Sequence, residues 1–265
     1  MTPLNIGVLG ADGRMGASVI RAIFDTKRAV LSSALGRIDL GQDAQSRLGL
    51  PASGVLMTDN MPDALDGCDA VIDFSVPEAT IALARELQGS ACKTLVSGTT
   101  GFTPTENTAL LEAAAGLTLL RAGNFSPGVT ALSVLVEQAA QALSDWDIEI
   151  LDLHHARKID APSGTALLLG EAAAAGRGVA LEDVRVPARE GVTAPRDAGQ
   201  IGFAALRGGG VIGQHEVRLA TEYEMITLSH DAFDRSLFAR GAVGATLWAH
   251  GQPAGLYGMR DVLGL

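Results

Sequence analysis

The sequence predicts an α/β protein: a doubly wound parallel sheet, followed by a second α+β domain with an open mixed sheet. Three observations carry this. Short apolar runs alternate with helical patterns through the first half, as buried parallel strands and their crossover helices do. A glycine-punctuated turn, Gly10-Ala11-Asp12-Gly13-Arg14-Met15-Gly16, joins the first run to the first helix. Between residues 201 and 230, strand patterns follow one another with no helix between them, as in antiparallel or mixed pairing.

The 265 residues are 47% apolar and 19% charged, enough for one large or two modest globular domains. A formal net charge of −10 argues against nucleic acid as a main partner, because phosphate binding needs a basic face. The N-terminus lacks the basic and apolar regions of a signal peptide, and no apolar run reaches the ~18 residues a membrane span needs. Cys68 and Cys92 make no disulfide framework or metal-ligand pattern, so no metal is expected; they read as free thiols in a reducing cytoplasm.

In chain order, residues 4–9 form a buried strand ending at Gly10, and Met15, Val19 and Ile23 then share one helix face. Strand, glycine turn and helix in that order make a Rossmann-type fingerprint meaningful. Gly10 permits the tight turn, Gly13 lets a pyrophosphate approach the backbone, and Gly16 lets helix and strand pack closely. Residues 30–35 are the second strand. An acid at its end would bond a ribose 2′-hydroxyl; here stands Gly36, with Arg37 beside it. That pair favours a 2′-phosphate, hence NADPH, while Asp39 close by keeps NADH open.

Residues 41–58 read as a polar loop with a short element, and 70–74 as a buried strand. Ser75-Val76-Pro77-Glu78 opens a helix, with Pro early and an acid in the first turn. Strand 94–96 ends in Ser97-Gly98-Thr99-Thr100-Gly101, at a carboxyl end where ligands bind in such sheets. Helix 104–115 and strand 117–121 lead to Ala122-Gly123-Asn124-Phe125, where Asn124 offers an amide and Phe125 a flat apolar face.

Helix 127–143, with Pro127 at its start, crosses into the second domain. The expected division is residues 1–126 with 236–265, and residues 127–235. Strand 146–153 runs into His154-His155-Ala156-Arg157-Lys158-Ile159-Asp160-Ala161-Pro162-Ser163-Gly164-Thr165, and helix 166–175 runs out. Ser163, Gly164 and Thr165 thus sit at a helix start, where backbone N–H groups favour anions. Lys158 and the histidine pair add positive charge and transferable protons. Together they suggest a site that holds a carboxylate-bearing substrate and hands it a proton. Residues 177–197 read as a long, loosely packed loop. Arg207-Gly208-Gly209-Gly210 reads as the turn of a hairpin between strands 201–206 and 211–219, with a further strand at 223–230. A last helix spans 234–249, with Trp248 on its apolar face, and the tail returns to the first domain. An open sheet needs a cover, so self-association is expected.

In its glycine loop, Gly98-Thr99-Thr100-Gly101-Phe102, Asn124-Phe125-Ser126, the His154-to-Thr165 motif and Gly258-Met259-Arg260-Asp261-Val262-Leu263, the chain resembles the 4-hydroxy-tetrahydrodipicolinate reductase (dihydrodipicolinate reductase) family of lysine and diaminopimelate biosynthesis. The resemblance covers essentially the whole chain. It implies an NADH- or NADPH-dependent reductase acting on a cyclic dicarboxylate, typically tetrameric through the second domain's sheet. Gly10, Ala11, Asp12, Gly13, Arg14 and Met15 would cradle the pyrophosphate, and Gly98, Thr99 and Thr100 with Ala122, Gly123, Asn124 and Phe125 would border the nicotinamide. His154 is then the acid/base residue and Lys158 a proton donor that also meets the substrate; His155, Gly164 and Thr165 contact a substrate carboxylate. Many members carry an acid at the position of Gly36, so this chain departs from a strict NADH pattern.

Overall fold

The computed structural model of the chain describes residues 2–192 and 194–265. The order begins β1 (Leu4–Leu9), α1 (Arg14–Asp25), β2 (Ala29–Leu35), β3 (Met57–Thr58), α2 (Met61–Leu65), β4 (Ala70–Asp73), α3 (Pro77–Gly89), β5 (Thr94–Ser97), α4 (Pro104–Ala113) and β6 (Thr118–Arg121). It continues with α5 (Pro127–Ala142), β7 (Asp147–His154), α6 (Gly164–Gly176), α7 (Leu181–Val184), β8 (Arg185–Val186), β9 (Ile201–Arg207), β10 (Gly213–Ala220) and β11 (Met225–Ala232), then α8 (Ser236–Ala249), β12 (Gly255–Tyr257) and α9 (Met259–Leu263). Two compact units result: residues 1–125 with 236–264, and residues 126–235 with Leu265.

The first unit is a parallel sheet in the order β12-β6-β5-β4-β1-β2-β3. Strand alternation splits its core into two layers. Ile72, Val96 and Leu120 face one cluster with Val19, Ile23, Ala242 and Ala245 of α1 and α8. Val71, Leu95 and Leu119 face the other, with Leu83, Leu87 and Leu110 of α3 and α4. Being buried on both faces, these strands read as unbroken apolar runs. α8 lies close because Gly241 packs on the Phe125 carbonyl, where a Cβ would collide. α2 and β12 were not anticipated from the sequence; both are too short to leave a periodic signal.

The second unit is a mixed sheet in the order β11-β10-β7-β9-β8. The expected hairpin between residues 201–206 and 211–219 does not form: β7 lies between them, parallel to β9 and antiparallel to β10. Spanning two strand spacings takes about 9.5 Å, within reach of the short Gly208–Val211 connection. That connection arcs over the end of β7, where Gly208 N donates to His154 O, Ala156 N to Gly209 O and His155 N to Val211 O. The pairing expected from the glycine turn was thus taken by the end of the central strand. The segment expected to be a loose loop at 177–197 also differs. It holds α7 and β8, and Arg196 and Arg189 pair with Asp147 and Glu149 of β7; Thr193 lies outside the described residues. One sheet face packs on α5 and α6 through Ile148, Ile150, Val217 and Leu219 against Leu132, Val136, Leu169 and Ala173.

Candidate active site

In the first unit, the carboxyl ends of β1, β2 and β4 surround a cavity of about 450 Å³. Gly10, Asp12 and Gly13 line it with Gly36, Arg37, Asp59 and Ser75. Gly10 has φ +79°, and a Cβ there would strike the Phe74 carbonyl. A Cβ on Gly16 would strike the Gly10 carbonyl, so α1 could not start where it does. Gly10 N and Ala11 N both donate to Leu35 O, tying the glycine turn to β2. Asp12 adds a second tie: its Oδ2 accepts Arg37 N at 2.7 Å and Ile38 N at 3.1 Å. Arg14 and Arg37 are exposed. Asp39, the nearby alternative acid, is held by the Arg47 guanidinium at 2.8 Å and 3.1 Å. A Cβ on Gly36 would lie 2.8 Å from Met57 Cε and 2.9 Å from Asp12 Cγ, so a side chain there would have to displace both side chains. A glycine cradle, a helix start and a cation at the second strand's end fit a dinucleotide phosphate.

At the ends of β5 and β6 the geometry refines the sequence reading. Thr99 Oγ1 donates to the buried Asp73 Oδ2 at 2.9 Å and accepts Ser75 N at 3.0 Å, so its hydroxyl is engaged within the protein. Asp73, given no role from sequence, also accepts Ser97 Oγ at 2.7 Å and Thr80 Oγ1 at 2.6 Å, locking β4, β5 and α3 together. Gly98 packs under the Phe74 ring, which a Cβ would strike. The ring of Phe125, expected as a flat face for the cofactor, is instead 2% exposed and packs edge-on against Phe74 at 5.6 Å. It is core, because burying a phenyl ring outweighs presenting it to water. Thr100 and Gly123 are exposed, while Ala122 and Asn124 are partly buried.

In the second unit, β7 alternates so that Ile148, Ile150, Asp152 and His154 share the helix-covered face. Register then assembles the polar end. His215 of β10 pairs with Asp152, His230 of β11 pairs with His215, and Arg207 of β9 pairs with His154. Asp152 is 1% exposed. Its Oδ1 lies 2.7 Å from His154 Nδ1, an ion-pair approach rather than an in-line hydrogen bond, and 3.4 Å from His215 Nε2. Its Oδ2 accepts Ser163 N at 2.7 Å and Arg207 Nη2 at 3.0 Å. Burial opposes the charge on Asp152, but hydrogen bonds from His215, Ser163 and Arg207 outweigh it and hold the carboxyl far below the usual range.

His154 is 8% exposed, and burial pushes its imidazole below the ordinary value; Asp152 opposes this, while His215, Lys158 and Arg207 add to it. His155 Nε2 lies 2.7 Å from Arg235 Nη2 and is lowered by desolvation and then by Arg235, Arg157, Lys158 and Arg207. Lys158 Nζ pairs with Asp160 at 2.9 Å. Ser163 caps α6, its Oγ accepting Ala166 N at 3.2 Å and lying 3.2 Å from His215 Nε2. Gly164 follows at the first turn with open space where a Cβ would be, and Thr165 is partly buried beside it. The structure therefore brings His154, His155, Lys158, Gly164 and Thr165 into one unit and adds Asp152, Arg207, His215 and Arg235. Asp152, His154 and His215 could offer a metal three ligand atoms within 4.8 Å of one another. Arg207 already neutralises the carboxylate, so the cluster suits proton transfer better than a dication.

Two family models divide the chain between them: "Dihydrodipicolinate reductase, N-terminus" matches residues 4–125, and "Dihydrodipicolinate reductase, C-terminus" matches residues 128–263. The chain belongs to the dihydrodipicolinate reductase family. The 4-hydroxy-tetrahydrodipicolinate reductase of Allorhizobium ampelinum is 50% identical, over 99% of this chain and 98% of that one. The enzyme of the same name from Parvibaculum lavamentivorans is 51% identical with the same coverage, 99% and 98%. Among solved structures, a dipicolinate-bound dihydrodipicolinate reductase from Paenisporosarcina sp. TG-14 superposes with a TM-score of 0.77 at 23% identity, over 98% of this chain and 99% of that one. That likeness shows the shared family fold.

The sequence carried one overlooked signal. A Ile-x-Ile-x-Asp-x-His run puts two polar residues on an otherwise apolar strand face, which asks for a partner. His215 repeats it, following Gly213 and preceding Val217 and Leu219 on the buried face of β10.

Proposed function

We propose that this protein is a 4-hydroxy-tetrahydrodipicolinate reductase, forming tetrahydrodipicolinate by way of dihydrodipicolinate in lysine and diaminopimelate biosynthesis. The observation that carries it is the buried, carboxylate-braced His154 on the same unit as Lys158 and the α6 start. A bound nicotinamide cofactor supplies the hydride. In the first unit, Gly10 to Met15 hold the pyrophosphate, and Gly98 to Thr100 with Ala122 to Phe125 border the nicotinamide, Thr99 and Phe125 through backbone atoms. NADPH is the preferred form: Asp39 is occupied by Arg47, Gly36 offers no acid to a ribose hydroxyl, and Arg37 remains at the cavity wall.

In the second unit, Gly164 and Thr165 at the helix start, with His155 and Lys158, hold a substrate carboxylate. Reduction of a conjugated imine leaves negative charge on the ring, and a proton must meet it. His154 is the acid/base group and Lys158 the donor that also grips the substrate. The protein is a homotetramer in this reading, supported by the sheet face opposite α5 and α6, where Leu153 and the exposed Leu206 are paired neighbours.

The test is cofactor oxidation by the purified protein, with substrate made in place by the upstream synthase from pyruvate and aspartate semialdehyde. Turnover that requires the synthase, faster with NADPH than NADH, is expected. Folded protein that binds cofactor and gives no turnover would overturn the assignment; monomers in light scattering at micromolar concentration would overturn the tetramer.

A further inference from the structure

We infer that Asp152 is a positioning residue that sets His154 in register with the anion-binding start of α6. The inference rests on the roles proposed above for His154 and that helix start, and extends them to a side chain buried too deeply to meet a ligand itself.

One carboxylate does this through two oxygens. Oδ1 faces the His154 ring at 2.7 Å, while Oδ2 accepts the N–H of Ser163, the cap residue directly before Gly164, also at 2.7 Å. The group that orients the acid/base ring therefore also fixes the backbone that would grip the substrate's carboxylate. Arg207 secures both ends of the intervening loop: Nη1 donates to Asp152 O at 2.9 Å and Nη2 to Asp160 O at 2.7 Å. Two lone pairs cannot approach to the His154–Asp152 separation, so Nδ1 carries the proton in the neutral ring and Nε2 is left for proton exchange. A Cβ at position 213 would lie 3.0 Å from Nε2, and the glycine there keeps that edge of the ring uncrowded. The charged and titratable groups facing His154 are Asp152 on β7, His215 on β10, Lys158 on the following loop and Arg207 at the end of β9. Of these, Asp152 alone favours the protonated ring.

The experiment is a pH titration of histidine ¹⁵N signals in wild type, Asp152→Asn and Asp152→Glu. It is joined to calorimetric binding of dipicolinate and steady-state rates. In wild type the neutral His154 should carry its proton on Nδ1. Asp152→Asn should lower the His154 midpoint by about one pH unit and move the alkaline limb of kcat with it. It should also weaken dipicolinate binding about threefold to tenfold and cut kcat about tenfold to a hundredfold. Asp152→Glu keeps the charge and should restore the midpoint and most of the rate. Folded Asp152→Asn with an unmoved midpoint would reduce Asp152 to a structural part. A neutral wild-type ring protonated on Nε2 would overturn the inference without any variant, which decides the matter even if Asp152→Asn does not fold. Failure of wild type to bind dipicolinate or turn over would instead remove the functional assignment, while the titration still reads the Asp152–His154 pairing.

Discussion

Asp152 and His154 stand two residues apart on β7, and this spacing alone puts both on the face that Ile148 and Ile150 share with the helices. An apolar strand face that ends in a carboxylate and an imidazole holds the pair in low dielectric, where their contact of 2.7 Å is worth more than it would be in water.

His154→Ala is expected to lower kcat by roughly 10²- to 10⁴-fold while leaving NADPH affinity unchanged. Lys158→Ala should lower kcat and raise the substrate KM together, because the proposed mechanism gives Lys158 both a proton to donate and a carboxylate to meet. Steady-state kinetics with a fluorescence titration of NADPH separates the two; equal loss of rate and cofactor binding in His154→Ala would contradict its role.

Arg37→Ala is expected to raise the NADPH KM about tenfold and leave the NADH KM nearly unchanged, the size of one charge-assisted contact to a phosphate. The ratio of kcat/KM values for the two cofactors reads this directly. A parallel change in both would place Arg37 outside the 2′-phosphate site.

Gly16→Ala and Gly164→Ala should part company. A Cβ at Gly16 meets the Gly10 carbonyl, so that variant should lose about 1–3 kcal/mol in denaturant unfolding, together with cofactor affinity. At Gly164 a Cβ meets open space, so stability should hold while the substrate KM rises. An unchanged KM in folded Gly164→Ala would remove this residue from the carboxylate site.

Burial pushes the Cys92 thiol up to about 11. Only a thiolate reacts with an alkylating reagent, so at pH 8 the native protein should leave Cys92 unmodified and the denatured protein should not. Mass spectrometry after iodoacetamide treatment checks this; rapid native labelling of Cys92 would mean that the layer under α3 and α4 opens.

Much of the first unit was legible along the chain. A parallel strand buried on both faces is an unbroken apolar run, and β1, β4, β5 and β6 each end at a glycine- or serine-bearing turn. The burial of the Phe125 ring was not legible, because position at a strand end says nothing about whether a ring turns outward or into the core. The hairpin around Gly208–Gly210 was misjudged because adjacency in sequence does not reveal a third strand lying between its two arms.

The sequence by itself determined the α/β class, the glycine cradle at Gly10 to Gly16 and the grouping of His154, His155, Lys158, Gly164 and Thr165, because local spacing sets helix starts, turns and strand faces. Only tertiary structure decided that His215, from a strand more than fifty residues further on, sits opposite Asp152, and that Arg207 closes the same carboxylate. Cross-strand register follows from how the whole sheet packs on α5 and α6, and no local pattern contains it.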